Sequence, residues 1–292
     1  MDAFHTWRTR GDGSRCSLYD FELFTVLLSA LEWRKHNGAV RLITDSKGAE
    51  YFARRGVADA WNETDTLLDG MDSLEINEDV FWAGAKLYAL SRQDVPCVMM
   101  DLDFIVWKSV DFQQYGGDLA VIHREDLYPE VYPSGEFFRF KKGWKLPGWL
   151  NWSVAPCNGA LVYFGSSEFV RSYTEFAFEF MQHADNQGDR LCYMVFAEQR
   201  WMAMCADHMS VPVHQFSSLP QLFDENQKYF THVWGCKQNL RDNPSKAALF
   251  CCECAGRLQH DFPDFAEKLF RHNWAGKYRN DSMGIRSSRF EK

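Results

Sequence analysis

The 292-residue chain lacks an apolar run long enough to cross a bilayer. The longest near the N-terminus, "FELFTVLLSALEW", is broken by Glu22 and falls short of the roughly 20 residues a spanning helix needs. No basic lead and no small-residue cleavage site accompany it, so a cytoplasmic location is expected, with at most peripheral membrane contact. A basic excess is lacking too. The formal charge of -8 argues against a general nucleic-acid binder, because phosphate backbones are held by clustered Lys and Arg. There is no internal repeat and no low-complexity linker. The 46% apolar content is far from a disordered composition and suffices for one large core or two coupled ones. Cysteine is present, nine times, but the odd count and irregular spacing make no disulfide framework; they point to reduced thiols, many of them filling the core.

What is there alternates between two periods. "LYDFELFTVLLSALEWRKH" (18–36) spaces its apolar residues for a helix, and "AVRLITD" (39–45) is a short β-rich run bounded by Gly38 and Ser46. The pattern predicts further helices over 46–55, 77–92, 167–183 and 190–205. It predicts further strands at "VADAWNE", "VPCVMMD", "DLAVIH" and "GALVYF". Such alternation predicts an α/β fold with a mostly parallel sheet flanked by helices. Residues 1–240 are expected to form one domain and 241–292 a C-terminal helical extension packed on it.

Carboxylates gather at the strand ends. In open α/β sheets ligands collect outside the carboxyl ends of the strands, and Asp45, Asp101 and Asp103 each lie at or just past such an end. Strand alternation would send Asp101 and Asp103 to the same side, with Leu102 turned away. Two like charges so close raise each other's pKa unless a divalent cation, which favours oxygen ligands, stands between them. A pair of solvated acids capping a strand is the plain alternative.

An apolar strand ending in Asp-x-Asp, preceded by a helix carrying Lys86 ("FWAGAKLYAL"), resembles the nucleotide-sugar glycosyltransferases of the GT-A, Rossmann-like fold. "CNGALVYF" is similar to the Asn-x-Gly strand of family 8 glycosyltransferases, "AEQRWMAM" to their Asp-Gln-Asp helix start, and "HVWGCK" to their late His-x-x-Gly-x-x-Lys segment, here one residue shorter. The resemblance implies a metal-dependent hexosyltransferase that retains anomeric configuration, with Mn²⁺ or Mg²⁺ as cofactor. A nucleoside-diphosphate sugar would be the donor and a glycan or glycoconjugate the acceptor. It implies Asp101, Asp103 and His232 as metal ligands, with Asp101 also on the ribose and Lys237 on the diphosphate. Asp45 would meet the nucleoside, Lys86 phosphate or ribose, and Asn158, Glu198 and Gln199 would lie beside the reacting sugar. "AFHTWRTRGDGS" would supply the first strand and a nucleotide-contacting turn.

Two other segments stand out. Residues 128–152, "YPEVYPSGEFFRFKKGWKLPGWLNW", form a long connection whose aromatics either stack on an acceptor sugar or pack on the core. "CCEC" could belong to a zinc site, but "NPSKAALFCCECAGRL" reads as a helix with Cys251 and Cys254 on its apolar face, so core filling is expected. Two other functions remain open: a haloacid-dehalogenase-type phosphatase using Asp101 and Asp103, and a catalytically silent GT-A scaffold that binds a nucleotide-sugar.

Overall fold

A computed structural model describes residues 1–9, 17–141, 143–186, 189–224 and 227–279. The chain is α/β, with a mostly parallel seven-stranded sheet flanked by helices, as the alternation of periods predicts. Its strands are β1 (Ala3–Trp7), β2 (Val40–Thr44), β3 (Glu63–Asp65), β4 (Cys97–Met100), β6 (Leu119–Val121), β7 (Leu161–Phe164) and β8 (Val213–Gln215). They run in the order β3-β2-β1-β4-β7-β6-β8. A separate pair joins β5 (Phe104–Val106) to β9 (Phe230–His232).

Two compact units divide the chain. The first holds residues 1–6, 67–100 and 111–219. In it β1 pairs parallel with β4, β7 runs antiparallel between β4 and β6, and β8 lies parallel to β6. Its helices are α3 (Gly84–Leu90), α4 (Ser167–His183), α5 (Arg190–Val195) and α6 (Trp201–His208), with a π turn, Phe196–Arg200, linking α5 to α6. The helix expected over 190–205 therefore exists, but with a wider turn in its middle. The helix expected over 77–92 is shorter, because Asn77 bonds the Asp79 amide at 3.1 Å and holds that stretch in turns.

The second unit holds residues 7–66, 101–110 and 220–292. Its centre is α1 (Asp20–His36), which buries an unbroken run from Leu23 to Trp33 and so is apolar nearly all round rather than on one stripe. Helix α1 packs against β5 and α9 (Pro244–Asp261). With it stand α2 (Ser46–Arg54), α8 (Lys237–Asp242), α10 (Pro263–Leu269) and α11 (Asn273–Gly276), while α7 (Leu219–Asp224) begins at the unit's edge. "VADAWNE" differs from expectation: Ala58–Ala60 is a 3-10 turn and the strand begins at Glu63, since Ala, Asp and Asn are weak strand formers.

Helix α9 is capped by Asn243, whose side chain accepts from the Lys246 amide, with Pro244 in its first turn. Cys251 and Cys254 are buried on it, and burial pushes the Cys251 thiol up to about 12, the behaviour of a packing group.

One ionisable side chain is sunk in α1. Glu32 is fully buried, near Lys35, His36, Arg257 and Asp261. Burial, opposed by Lys35, raises its carboxyl to about 7, while Asp261 stays below the usual carboxylate range, its own burial outweighed by His260 and Arg257. The proton of the pair therefore rests on Glu32 near neutrality. A folded pKa above the unfolded one gives stability that is complete below pH 4.5 and fades as pH rises through about 7. Glu32→Gln keeps the neutral form at every pH, so melting curves between pH 5 and 8 should show the wild type losing several degrees relative to the variant. Parallel pH profiles would remove Glu32 as the cause.

Candidate functional site

In the second unit the local chain path brings together an acidic cluster. Asp101 follows directly after β4, and its carbonyl accepts from the Phe104 amide at 3.0 Å. Asp101-Leu102-Asp103 is thus a tight turn, not a continued strand. The two carboxylates come together through the turn rather than through pleat alternation, which corrects the route though not the juxtaposition. Strand β5 then pairs antiparallel with β9, setting Phe104 opposite His232, and the Val233 amide donates to the Asp103 carbonyl at 3.0 Å. The His232 ring lies 5.4 Å from the Phe104 ring. Ser29 of α1 donates its hydroxyl to the Phe104 carbonyl, tying this pair to the buried helix.

One potential ligand atom from each of Asp101, Asp103 and His232 falls within 4.8 Å of the other two. That spread matches a single ion with bonds of about 2.0–2.6 Å. Two carboxylates and an imidazole form a donor set suited to a divalent cation. Among the described residues this is the one group of three acids, histidines or cysteines with metal-holding spacing.

Lys237, the first residue of α8, lies 2.8 Å from Asp103 Oδ2, and His232 Nε2 is 3.8 Å from the same oxygen. Burial pushes the Asp103 carboxyl up, but Lys237 and then His232 pull it down further, and it ends below its ordinary value. Asp103 is therefore ionised and ready to hold a cation. Trp234, on the 3-10 turn between β9 and α8, is 67% exposed, and its ring stands 6.2 Å from that of His232.

Asp45, also in this unit, is fully committed in local structure. One oxygen caps α2 through the Gly48 amide at 2.7 Å, and the other takes the Thr9 amide at 3.1 Å and the Thr9 hydroxyl. The expected nucleotide-contacting turn after β1 lies for the most part at 10–16, outside the described residues.

The first unit carries a polar cluster of its own. Glu198 and Gln199 sit on the π turn, a geometry frequent at functional sites. Glu198, 7% exposed, pairs with Lys86 of α3, whose ammonium also donates to the Gly159 carbonyl at 3.0 Å. A Cβ at Gly159 would stand 2.5 Å from Glu198 Oε1, so the missing side chain is what admits this carboxylate. Lys86 thus holds Glu198. The Tyr132 hydroxyl donates to Gln199 Oε1. Asn158 donates to Glu125 at 2.7 Å and accepts from the Ala160 amide at 3.0 Å.

Sequence reasoning missed Glu125, Tyr132 and Arg200. Glu125 was within reach, since it follows two residues after "DLAVIH", at the kind of strand end that singled out the aspartates. Arg200 is buried, and burial lowers it to about 10; it donates to the Trp152 and Val154 carbonyls at 2.8 and 2.7 Å, anchoring the end of the long loop. Trp144 and Trp149 of the loop are half-buried and stack on His183 at 5.5 Å and on His208 at 4.3 Å, so each has a packing partner within the protein.

The family model described as "Family of unknown function (DUF6734)" matches residues 16–272, and the chain belongs to that family. No curated protein matches the sequence. Among solved structures, the chain is similar to the PaToxG glycosyltransferase at 12% identity, covering 77% of this chain and 71% of that one, with a TM-score of 0.43. It is similar to mouse xyloside xylosyltransferase 1 at 9% identity, covering 74% and 85%, with a TM-score of 0.39. The galactosyltransferase LgtC, solved with donor and acceptor sugar analogs, is 13% identical over 68% and 71%, with a TM-score of 0.36.

Asp103→Asn keeps the side-chain shape but removes the charge, and calorimetric Mn²⁺ affinity should fall at least about tenfold, the scale seen for lost metal support. A wild-type isotherm would take Asp103 out of the metal set.

Proposed function

We propose that the protein is a metal-dependent glycosyltransferase that moves a hexosyl group from a nucleoside-diphosphate sugar to a glycan or glycoconjugate, in a cytoplasmic setting. The observation that carries this reading is the cluster of Asp101, Asp103 and His232 with Lys237 against it. The order of the Asp-x-Asp, Asn-x-Gly, Glu-Gln and His-x-x-Gly segments, resembling family 8, supports it.

Asp101, Asp103 and His232 would hold Mn²⁺ or Mg²⁺. The ion would neutralise the charge that develops on the diphosphate as the sugar leaves. Lys237 would add a second positive group to the same diphosphate. In the first unit, Lys86 pairs with Glu198 and the Tyr132 hydroxyl donates to Gln199, so both residues proposed to meet the sugar are held in place by a neighbour. As for the members of the family it resembles, retention of configuration is the expected outcome.

The test is a thermal-shift panel of UDP- and GDP-hexoses with and without Mn²⁺, followed by an assay for released nucleoside diphosphate. A ligand that binds only the native state raises the melting temperature. Mn²⁺-dependent stabilisation and nucleoside diphosphate release are expected. Release of inorganic phosphate would favour the phosphatase, and binding without turnover the silent scaffold. Once a donor is found, Tyr132→Phe should lower kcat by about tenfold, near the value of one lost hydrogen bond, with the donor KM little changed. An unchanged kcat would free Gln199 from Tyr132.

A further inference from the structure

We propose that the acidic site of the second unit takes its divalent cation together with a diphosphate rather than as a bare ion, and that Lys237 enforces this. The inference rests on the glycosyltransferase reading for the identity of the anion. Its own ground is that Lys237 Nζ, 2.8 Å from Asp103 Oδ2, lies against an oxygen of a carboxylate that the cation needs.

Asp103 is confined. Its side chain is 12% exposed, and its carbonyl accepts from the Val233 amide, which fixes the backbone that carries it. A divalent ion held by this carboxylate would stand close to an ammonium that is itself 2.8 Å from Oδ2, and the repulsion between the two cations favours the state in which Lys237 has swung away.

The displaced group then has to go somewhere. Asp101 and Asp103 bring two negative charges and Lys237 one positive, so a bare divalent ion would leave the site positive with an ammonium beside it. Like charges in a partly desolvated site repel strongly. A diphosphate reverses the sign. It supplies oxygens for the ion and acceptors for Lys237, whose side chain is 29% exposed and has a flexible four-carbon stem that can swing from carboxylate to phosphate. The lysine thus acts twice: as a tethered stand-in cation on Asp103, and as a diphosphate ligand once released.

Thermodynamic linkage makes this measurable, because the anion must tighten the metal by the same factor as the metal tightens the anion. Wild type and Lys237→Met are titrated with Mn²⁺ alone, then with inorganic pyrophosphate and with UDP or GDP at saturating Mn²⁺. Loss of the ammonium should tighten bare Mn²⁺ by about fivefold or more and weaken the pyrophosphate complex about tenfold, opposite signs from one substitution. A plain metal-site or folding defect would weaken both.

Bare Mn²⁺ bound by Lys237→Met no better than by the wild type overturns the inference. So does pyrophosphate that leaves the wild-type Mn²⁺ affinity unchanged, a comparison that needs no variant and decides the matter if Lys237→Met melts early. Pyrophosphate coupling without binding of either nucleoside diphosphate supports the exchange and sinks the nucleotide-sugar reading. Nucleoside diphosphate binding with no gain of bare Mn²⁺ does the reverse.

Discussion

A carboxylate that has lost most of its water must have positive charge at hand, and the second unit is organised around one that does. Asp103 is taken out of solvent by the β5–β9 pair, which itself rests on a helix buried almost all round. Those apolar contacts make burial of the acid unavoidable. The chain answers with a histidine from the facing strand and a lysine one turn later. Placing the acid, the imidazole and the ammonium is thus one structural act, carried out by two short strands.

The same constraint recurs in the first unit in a different form. Glu198 is also buried, and it is matched by Lys86 through the gap left by Gly159. Here the cation also donates to a backbone carbonyl, which gives the pair a third partner. At Asp103 the cation comes from the start of a short helix and is more exposed, at 29% against 12% for Lys86. One pairing builds a scaffold, while the other leaves an exchangeable partner.

The sequence showed the sheet class, α1, α4 and α9, and the acids at strand ends, because these depend on local periodicity and on which residues follow an apolar run. It could not show the π turn, since a helical pattern with one extra residue still reads as a helix over this length. Nor could it assign the rings of 128–152. Trp144 and Trp149 have their stacking partners, His183 and His208, on helices distant in sequence. Trp234, exposed and 6.2 Å from the His232 ring, lies within "HVWGCK", a segment noticed for its histidine and lysine. Lys86 was legible as a basic residue on the helix that leads into the Asp-x-Asp strand, but its partner Glu198 is admitted by a glycine 73 residues away.

The π turn at Phe196–Arg200 has a bearing on how this chain can vary. Each residue of an ordinary helix is rotated by about 100° from the last, so deleting one position within the turn would restore the common helix and swing the preceding segment around its axis relative to everything after it. Glu198 would leave Lys86, Gln199 would leave Tyr132, and Arg200 would release the two carbonyls it anchors. Single substitutions can be absorbed there one side chain at a time. A change in length cannot, and in descendants of this chain the residue count between Asp189 and His208 is therefore a stricter inheritance than the residues themselves.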